Sequence, residues 1–64
     1  MIAYAYIKDG WLEVYDKDER ELWHQRVEDD AQILGNTATT VTLKRNGWIE
    51  VYDETGNEIS HRRI

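Results

Sequence analysis

The chain has 64 residues and no cysteine, and its thirteen acidic and eight basic side chains give a formal net charge of −5. A chain this short forms one domain with a thin core, so self-association is the first additional source of stability to consider. The acidic balance repels a phosphate backbone and disfavours generic nucleic-acid binding. No apolar run approaches the roughly 18 residues that a membrane span needs. We therefore expect a soluble, cytoplasmic protein without a membrane partner.

An internal repeat dominates the sequence. Residues 8–27 and 45–64 align without a gap, and both contain G-W-[LI]-E-V-Y-D followed by Glu, His and Arg at matching positions. The repeat predicts a single β domain over residues 1–64, built from two similar units that are joined by a crossover at 28–38.

The first two strands are predicted from alternation and from a turn signal. Residues 2–8 alternate in character, and Asp9-Gly10 is the strongest short-range signal for a two-residue hairpin turn. A type I′ turn there pairs Lys8 with Trp11 and Tyr4 with Tyr15. One face of the hairpin then carries Ala3, Ala5, Ile7, Leu12 and Val14. The other face carries Tyr4, Tyr6, Lys8, Trp11, Glu13 and Tyr15.

A third strand and an irregular crossover follow. Residues 17–20 form a predicted polar turn, and residues 21–27 a strand that completes a three-stranded meander. The alternating pattern ends there. The crossover that follows, over residues 28–38, has no strand signal, and we interpret it as a connection between the two units.

Two structures are open for the crossover. Asp29 or Asp30 is suited to cap a single helical turn over residues 31–34. The alternative is a plain loop in which Ile33 and Leu34 plug an open end of the core.

The second unit repeats the hairpin. Its first strand, 39–45, is rich in β-branched residues, and Asn46-Gly47 repeats the turn signal. Gly56 stands where a bulged turn requires a positive φ, and that register places His61 beside Ile49 and Ile59 beside Val51. One face then carries Thr40, Thr42, Ile49 and Val51. The other face carries Val41, Leu43, Trp48, Glu50 and Tyr52.

These elements predict an all-β fold. Two three-stranded antiparallel meanders, related by a pseudo-twofold axis, are expected to stack their aliphatic faces as a small six-stranded barrel or sandwich. The alternative is a single curved six-stranded sheet, for which dimerisation supplies the second layer.

The side chains opposite the predicted core form the first candidate interaction surface. It is an aromatic face that consists of Tyr4, Tyr6, Trp11, Tyr15, Trp48 and Tyr52. The apolar area that six exposed aromatic side chains present is at or above that of the largest apolar patch on an ordinary monomer. This area favours a protein interface, either with a partner or in a homodimer. The alternatives are mutual cross-strand pairing under a cover of basic side chains, or stacking of a nucleobase or small aromatic ligand.

Charged side chains form two further candidate surfaces. A basic rim is suggested by the repeated His-x-Arg spacing and comprises His24, Arg26, Arg45, His61 and Arg63. Acidic turns are suggested by charge clusters at Asp16, Asp18, Asp29 and Asp30. Such turns can imitate the charge of nucleic acid and occupy a basic cleft on another protein.

No pattern indicates catalysis or a cofactor. Glu13 and Glu50 occupy equivalent positions, but paired carboxylates act as acid and base only within a concave site. His24 and His61 lack a third metal ligand, and the sequence has no phosphate-binding glycine loop or nucleophile motif. We expect no enzyme, no metal and no cofactor.

The function expected from the sequence is protein binding. The most concrete form is a small acidic inhibitor or adaptor, of the type that phages and mobile elements encode, which uses the aromatic faces and the acidic turns. The alternative is a binder of single-stranded nucleic acid or nucleotides that stacks bases on its tryptophan and tyrosine rings. The partner's identity is not encoded in any motif.

Overall fold

The computed structural model describes all 64 residues and contains seven β-strands and no helix. The strands are β1 (Tyr4–Lys8), β2 (Trp11–Tyr15), β3 (Glu21–Arg26), β4 (Gln32–Asn36), β5 (Thr40–Arg45), β6 (Trp48–Asp53) and β7 (Glu58–Arg63). They form a first sheet in the order β1-β2-β3 and a second sheet in the order β4-β5-β6-β7, both antiparallel. The all-β prediction is confirmed in its sandwich form, and the sheets do not close into a barrel. No helix of the structure could cross a membrane.

The two tight hairpins follow the predicted register. Lys8 lies opposite Trp11 and Tyr4 lies opposite Tyr15, as expected from the Asp9-Gly10 turn. Asp9 and Gly10 have φ values of 53° and 83°, and the same left-handed pair recurs at the Asn46-Gly47 turn. A type I′ turn requires positive φ at both central residues, which explains why Asx-Gly stands at both places.

The crossover contains a strand and no helical turn. β4 pairs with β5, and a bulge between Ile33 and Gly35 shifts its register. The helical turn considered for residues 31–34 is therefore wrong. The alternative, in which Ile33 and Leu34 both plug the core, is correct for Ile33 only, because Ile33 packs on the core while Leu34 is 52% exposed. An edge strand leaves backbone groups unpaired, and pairing with β4 satisfies those of β5.

The two sheets use opposite faces of the repeat. We call the face that carries Trp11 or Trp48 the tryptophan face, and the face that carries Leu12 and Val14, or Ile49 and Val51, the aliphatic face. The first sheet packs inward with its aliphatic face, where Leu12 and Val14 are fully buried. The second sheet packs inward with its tryptophan face, through the buried side chains of Val41, Leu43 and Tyr52. The predicted stacking of two aliphatic faces about a pseudo-twofold axis is therefore wrong.

Four differences between the repeats explain the reversal. They replace Tyr4 by Val41, Tyr6 by Leu43, Trp23 by Ser60 and Gln25 by Arg62. Val41 and Leu43 place aliphatic side chains on the tryptophan face of the second sheet. Ser60 and Arg62 lie on the aliphatic face of the second sheet, where they replace a large aromatic side chain and add a charge. Burial follows apolar area, so the second sheet turns its tryptophan face inward.

Trp23 joins the two sheets. Its indole Nε1 donates a hydrogen bond to the carbonyl oxygen of Asp53 at 3.1 Å, and its ring centroid lies 5.5 Å from that of Tyr52. Gly56, at a φ of 88°, lies against the indole, where a Cβ atom would come within 3.2 Å of the ring. Gln25 adds a hydrogen bond from Nε2 to the Tyr52 hydroxyl at 3.3 Å. This contact was not expected from the sequence.

Two details of register differ from expectation. Ile2 is buried and Ala3 is exposed, because the backbone N–H of Ile2 donates to the carbonyl of Ala38 before β1 begins. In the second sheet a bulge beside Val51 shifts β7 by one residue. The residue beside Val51 is therefore Ser60, and His61 lies beside Glu50.

Candidate interaction surfaces

Three tyrosine side chains cluster on the outward tryptophan face of the first sheet. The ring centroids of Tyr4, Tyr6 and Tyr15 are 5.3 to 6.2 Å apart, and each ring is stacked on the other two. Glu13 Oε1 accepts hydrogen bonds from the Tyr6 hydroxyl at 2.9 Å and the Tyr15 hydroxyl at 2.7 Å. We call Tyr4, Tyr6 and Tyr15 the tyrosine cluster. Tyr4 and Tyr6 are each 38% exposed, so the cluster is a rigid aromatic surface open to a partner.

The hydrogen bonds between Glu13 and the tyrosines shift pKa values in opposite directions. Donation from Tyr15, and then from Tyr6, lowers the pKa of the Glu13 carboxyl. The same bond to Glu13 raises the pKa of the Tyr15 hydroxyl well above its usual range. The two pKa shifts widen the pH range over which the Glu13 carboxylate is ionised and the Tyr15 hydroxyl is neutral.

Acid is expected to destabilise the chain partly through Glu13. Because its pKa is lower in the folded state, the stabilisation is fully present above the unfolded value of about 4.3 and is lost as pH falls through the folded value. Glu13→Gln should therefore flatten the acid limb of a plot of urea midpoint against pH. Glu19→Gln, at an exposed turn, is the control. An unchanged acid limb in Glu13→Gln would contradict this role of the carboxylate.

Each sheet carries the same tryptophan arrangement. Trp11 contacts the edge of the His24 ring at 5.3 Å between centroids, and Trp48 contacts His61 in the same way at 5.4 Å. An arginine covers each indole, Arg26 at 5.6 Å from the Trp11 ring and Arg63 at 5.3 Å from the Trp48 ring. Stacked guanidinium groups of this kind are cation–π contacts. The duplicated motif therefore builds the same arrangement of Trp, His and Arg in both sheets.

The predicted basic rim is divided among several sites. His24 Nδ1 lies 3.0 Å from Glu21 and His61 Nδ1 lies 3.0 Å from Glu58, each within its own strand. Arg45 is largely shielded from solvent and pairs with two carboxylates, Glu50 at 3.0 Å and Glu28 at 3.3 Å. The basic side chains that sequence reasoning grouped together therefore contact nearby carboxylates or stack on indole rings.

The acidic turns divide into structural and free carboxylates. Asp16 Oδ1 accepts hydrogen bonds from the backbone N–H groups of Arg20 and Asp18, which lowers the pKa of that carboxyl. Asp30 Oδ2 accepts from the N–H of Asn46 at 2.9 Å and ties the crossover to the second hairpin. The side chains of Asp18 and Asp29 are exposed, and they remain available to a partner.

The predicted aromatic face is not one continuous surface. Trp11 lies on the same sheet face as the tyrosine cluster and is 38% exposed, whereas Trp48 belongs to the second sheet. Tyr52 is only 5% exposed and belongs to the core, where its hydroxyl donates to Glu50 and accepts from Gln25. Sequence reasoning placed it on the surface because alternation puts it on the face of Trp48, opposite the aliphatic face that was expected to form the core.

An uncovered aliphatic face lies on the outside of the second sheet. Ile49 and Val51 border a shallow depression of about 400 Å³, which Thr42, Ser60 and Arg62 also line. Ile49, Val51 and the 55%-exposed Ile59 correspond to Leu12, Val14 and Leu22, which pack in the core of the first sheet. We call Ile49, Val51 and Ile59 the free aliphatic face. The signal for it was the replacement of Trp23 by Ser60 in the second repeat.

The two equivalent glutamates are held by neighbours within the chain. Glu13 accepts from two tyrosines, and Glu50 accepts from the Tyr52 hydroxyl at 2.7 Å and from Arg45. No three His, Asp or Glu side chains converge as metal ligands would.

No family model, curated protein or solved structure matches the chain.

Proposed function

We propose that this chain is a protein-binding module, acting as an inhibitor or adaptor, and that its tyrosine cluster is the binding surface. The observation that carries the proposal is a set of three stacked tyrosine rings on one solvent-facing sheet face, two of which donate hydrogen bonds to Glu13. Tyrosine, tryptophan and arginine are the residues that most often dominate the binding energy of protein interfaces. Trp11 and Arg26, on the same face, extend the surface.

Preorganisation supports this proposal. A side chain that is already held in one conformation loses little entropy on binding, so more of its contact energy appears as affinity. Glu13 holds Tyr6 and Tyr15 by hydrogen bonds, and Tyr4 stacks on both rings. The cluster therefore resembles an anchor built for a flat or shallow partner surface.

The charge of this face favours a protein over a nucleic acid. Lys8 and Arg26 are offset by Glu13 and Glu21, so the face has no excess positive charge to attract phosphate groups. Binding of single-stranded nucleic acid is the alternative that the test below must detect.

The test is site-specific photo-crosslinking. A benzophenone side chain at position 4, in cells that naturally express the chain, is expected to form a specific protein adduct whose second component is identified by mass spectrometry. Trp11→Ala in the same chain should weaken the adduct, because it removes part of the surface.

The control carries the same probe at Thr39, an exposed position in the loop between the first two strands of the second sheet. Identical adducts from positions 4 and 39 would contradict a specific surface. Adducts that nuclease digestion removes would instead support the nucleic-acid alternative, and the absence of any adduct would reject the proposed surface.

A further inference from the structure

The contact between the two sheets of one chain uses two unlike faces of the repeat. On one side are the aliphatic residues of the first sheet, Leu12, Val14 and Leu22. On the other side are the residues on the tryptophan face of the second sheet, Val41, Leu43 and Tyr52. The two sheets therefore stack in the same sense, with the aliphatic face of one on the tryptophan face of the other.

The repeat supplies a second copy of each half of this contact. The counterparts of Val41, Leu43 and Tyr52 are Tyr4, Tyr6 and Tyr15, which form the exposed tyrosine cluster. The counterparts of Leu12, Val14 and Leu22 are Ile49, Val51 and Ile59, which form the free aliphatic face. Each chain thus has one uncovered surface of each kind, on opposite outer sides of the sandwich.

We infer that a second copy of this chain binds head to tail, with its free aliphatic face on the tyrosine cluster of the first copy. This inference rests on the proposed function, because it uses the tyrosine cluster as the binding surface and names the partner. The contact continues the internal stacking from one chain to the next. It joins two different surfaces, so it is heterologous and extends beyond a dimer unless a ring closes.

Polar groups at the edge of the contact agree with this arrangement. Within the chain, Gln25 Nε2 donates to the Tyr52 hydroxyl, which in turn donates to Glu50. In the contact between two copies, Arg62 takes the place of Gln25. Tyr15 and its acceptor Glu13 take the places of Tyr52 and Glu50. Arg62 of one copy would therefore meet the Tyr15 and Glu13 pair of the next, and an arginine suits that carboxylate better than a glutamine does.

A symmetric pairing of two free aliphatic faces is less favourable. Lys44 and Arg62 lie on this face with Ile49, because strand register places Arg62 and Lys44 on either side of Ile49. Two such faces in contact would bring like charges together, which is destabilising across paired strands. The head-to-tail arrangement places Arg62 against Glu13 of the neighbouring copy.

The size of the contact sets the range of concentrations for the test. Strands of five or six residues are about 17–20 Å long, and three paired strands are about 14 Å wide. A face of these dimensions belongs at the low end of protein interfaces, where complexes are weak and transient. We therefore expect association in the micromolar range or weaker.

Sedimentation velocity from about 10 to about 500 µM is the test, and the mean mass is expected to rise with concentration. Tyr4→Lys damages only the tyrosine cluster, and Ser60→Glu damages only the free aliphatic face by placing a carboxylate opposite Tyr15 and Glu13. Each variant alone should stay monomeric, with association weakened at least about tenfold. An equal mixture should form a dimer that does not grow, because it contains one intact pair of surfaces. Thr39→Lys and Thr39→Glu, at an exposed position outside both faces, are the controls for the introduced charges.

Several outcomes would overturn the inference. If the wild-type chain stays monomeric, the inference fails, and the crosslinked partner at position 4 still decides the proposed function separately. If Ser60→Glu or Tyr4→Lys alone still dimerises, the contact is symmetric and the head-to-tail arrangement is wrong. A mixture that remains monomeric leads to the same conclusion, provided that circular dichroism shows both variants folded.

A gain-of-function variant protects the test against loss of folding. Ser60→Trp restores on the free aliphatic face the side chain that Trp23 supplies to the internal contact. The same chain carries Glu19→Gly, because Glu19 is the counterpart of Gly56 and a Cβ atom at Gly56 would come within 3.2 Å of the internal indole. This double variant should strengthen association by at least about tenfold. Adding Tyr4→Lys to the same chain should cancel the gain. If association rises equally with or without Tyr4→Lys, the added indole binds elsewhere and the inference is rejected.

Discussion

Leu12→Ala is expected to unfold most of the protein at room temperature, whereas Ile49→Ala at the matching position of the repeat is expected to leave it folded. Leu12 is fully buried between the sheets, and removal of a buried leucine side chain costs about 2–5 kcal/mol. Domains of this size rarely have more than about 3–5 kcal/mol of stability. Ile49 lies on the outward face of its sheet, where a substitution costs about 1 kcal/mol or less.

Urea unfolding monitored by circular dichroism, at a concentration low enough to avoid self-association, measures this difference. Leu12→Ile is the matched control, since it installs the residue that the repeat uses at position 49 and nearly conserves volume, at a cost below about 1.5 kcal/mol. Equal losses in Leu12→Ala and Ile49→Ala would mean that both aliphatic faces are in the core, contrary to the observed reversal.

Trp23→Ala is expected to destabilise the fold by about 3 kcal/mol or more, at the lower end of the range for aromatic truncations because the side chain is only half-buried. The substitution removes the ring contact to Tyr52, the packing on Gly56 and the hydrogen bond to the Asp53 carbonyl. Thermal unfolding followed at the far-ultraviolet β signal measures the loss. The remaining emission should also shift to longer wavelength, because Trp11, one of the two surviving tryptophans, is exposed.

Two variants separate the parts of this effect. Trp23→Phe keeps an aromatic ring but removes the N–H donor, and it should lose about 1 kcal/mol for the hydrogen bond plus a smaller packing loss. Trp11→Ala, on the exposed face, should lose about 1 kcal/mol or less. If Trp11→Ala were as destabilising as Trp23→Ala, Trp23 would have no special role in joining the sheets.

Local structure was predictable wherever the chain carries a specific turn signal. Asp9-Gly10 and Asn46-Gly47 dictate their hairpins because only such residues accept positive φ at both central positions. The first-sheet register followed directly, and with it the outward position of Tyr4, Tyr6 and Trp11. The crossover was mispredicted because the bulge at Ile33 interrupts the period of two that marks a strand.

The functional surfaces were only partly predictable for a different reason. The tyrosine cluster and its position opposite the core could be read from alternation, but its fixation by Glu13 required side-chain geometry. Tyr52 was assigned to the surface and lies in the core, while the aliphatic residues Ile49 and Val51 were assigned to the core and lie outside. Sequence similarity between the repeats implied similar burial, and the structure contradicts that implication.

The sequence by itself determined the all-β class, the two Asx-Gly hairpins, and which residues share a face of each sheet, because turn chemistry and the alternation of a strand are local properties. Only the tertiary structure decided which face of the second sheet is buried. That choice depends on the apolar area each face offers to the other sheet, summed over residues far apart in the chain. Val41 and Leu43 give the tryptophan face of the second sheet more apolar area than its aliphatic face, which holds Ser60 and Arg62. The aliphatic face of the repeated motif therefore forms the core in the first sheet and an uncovered surface in the second.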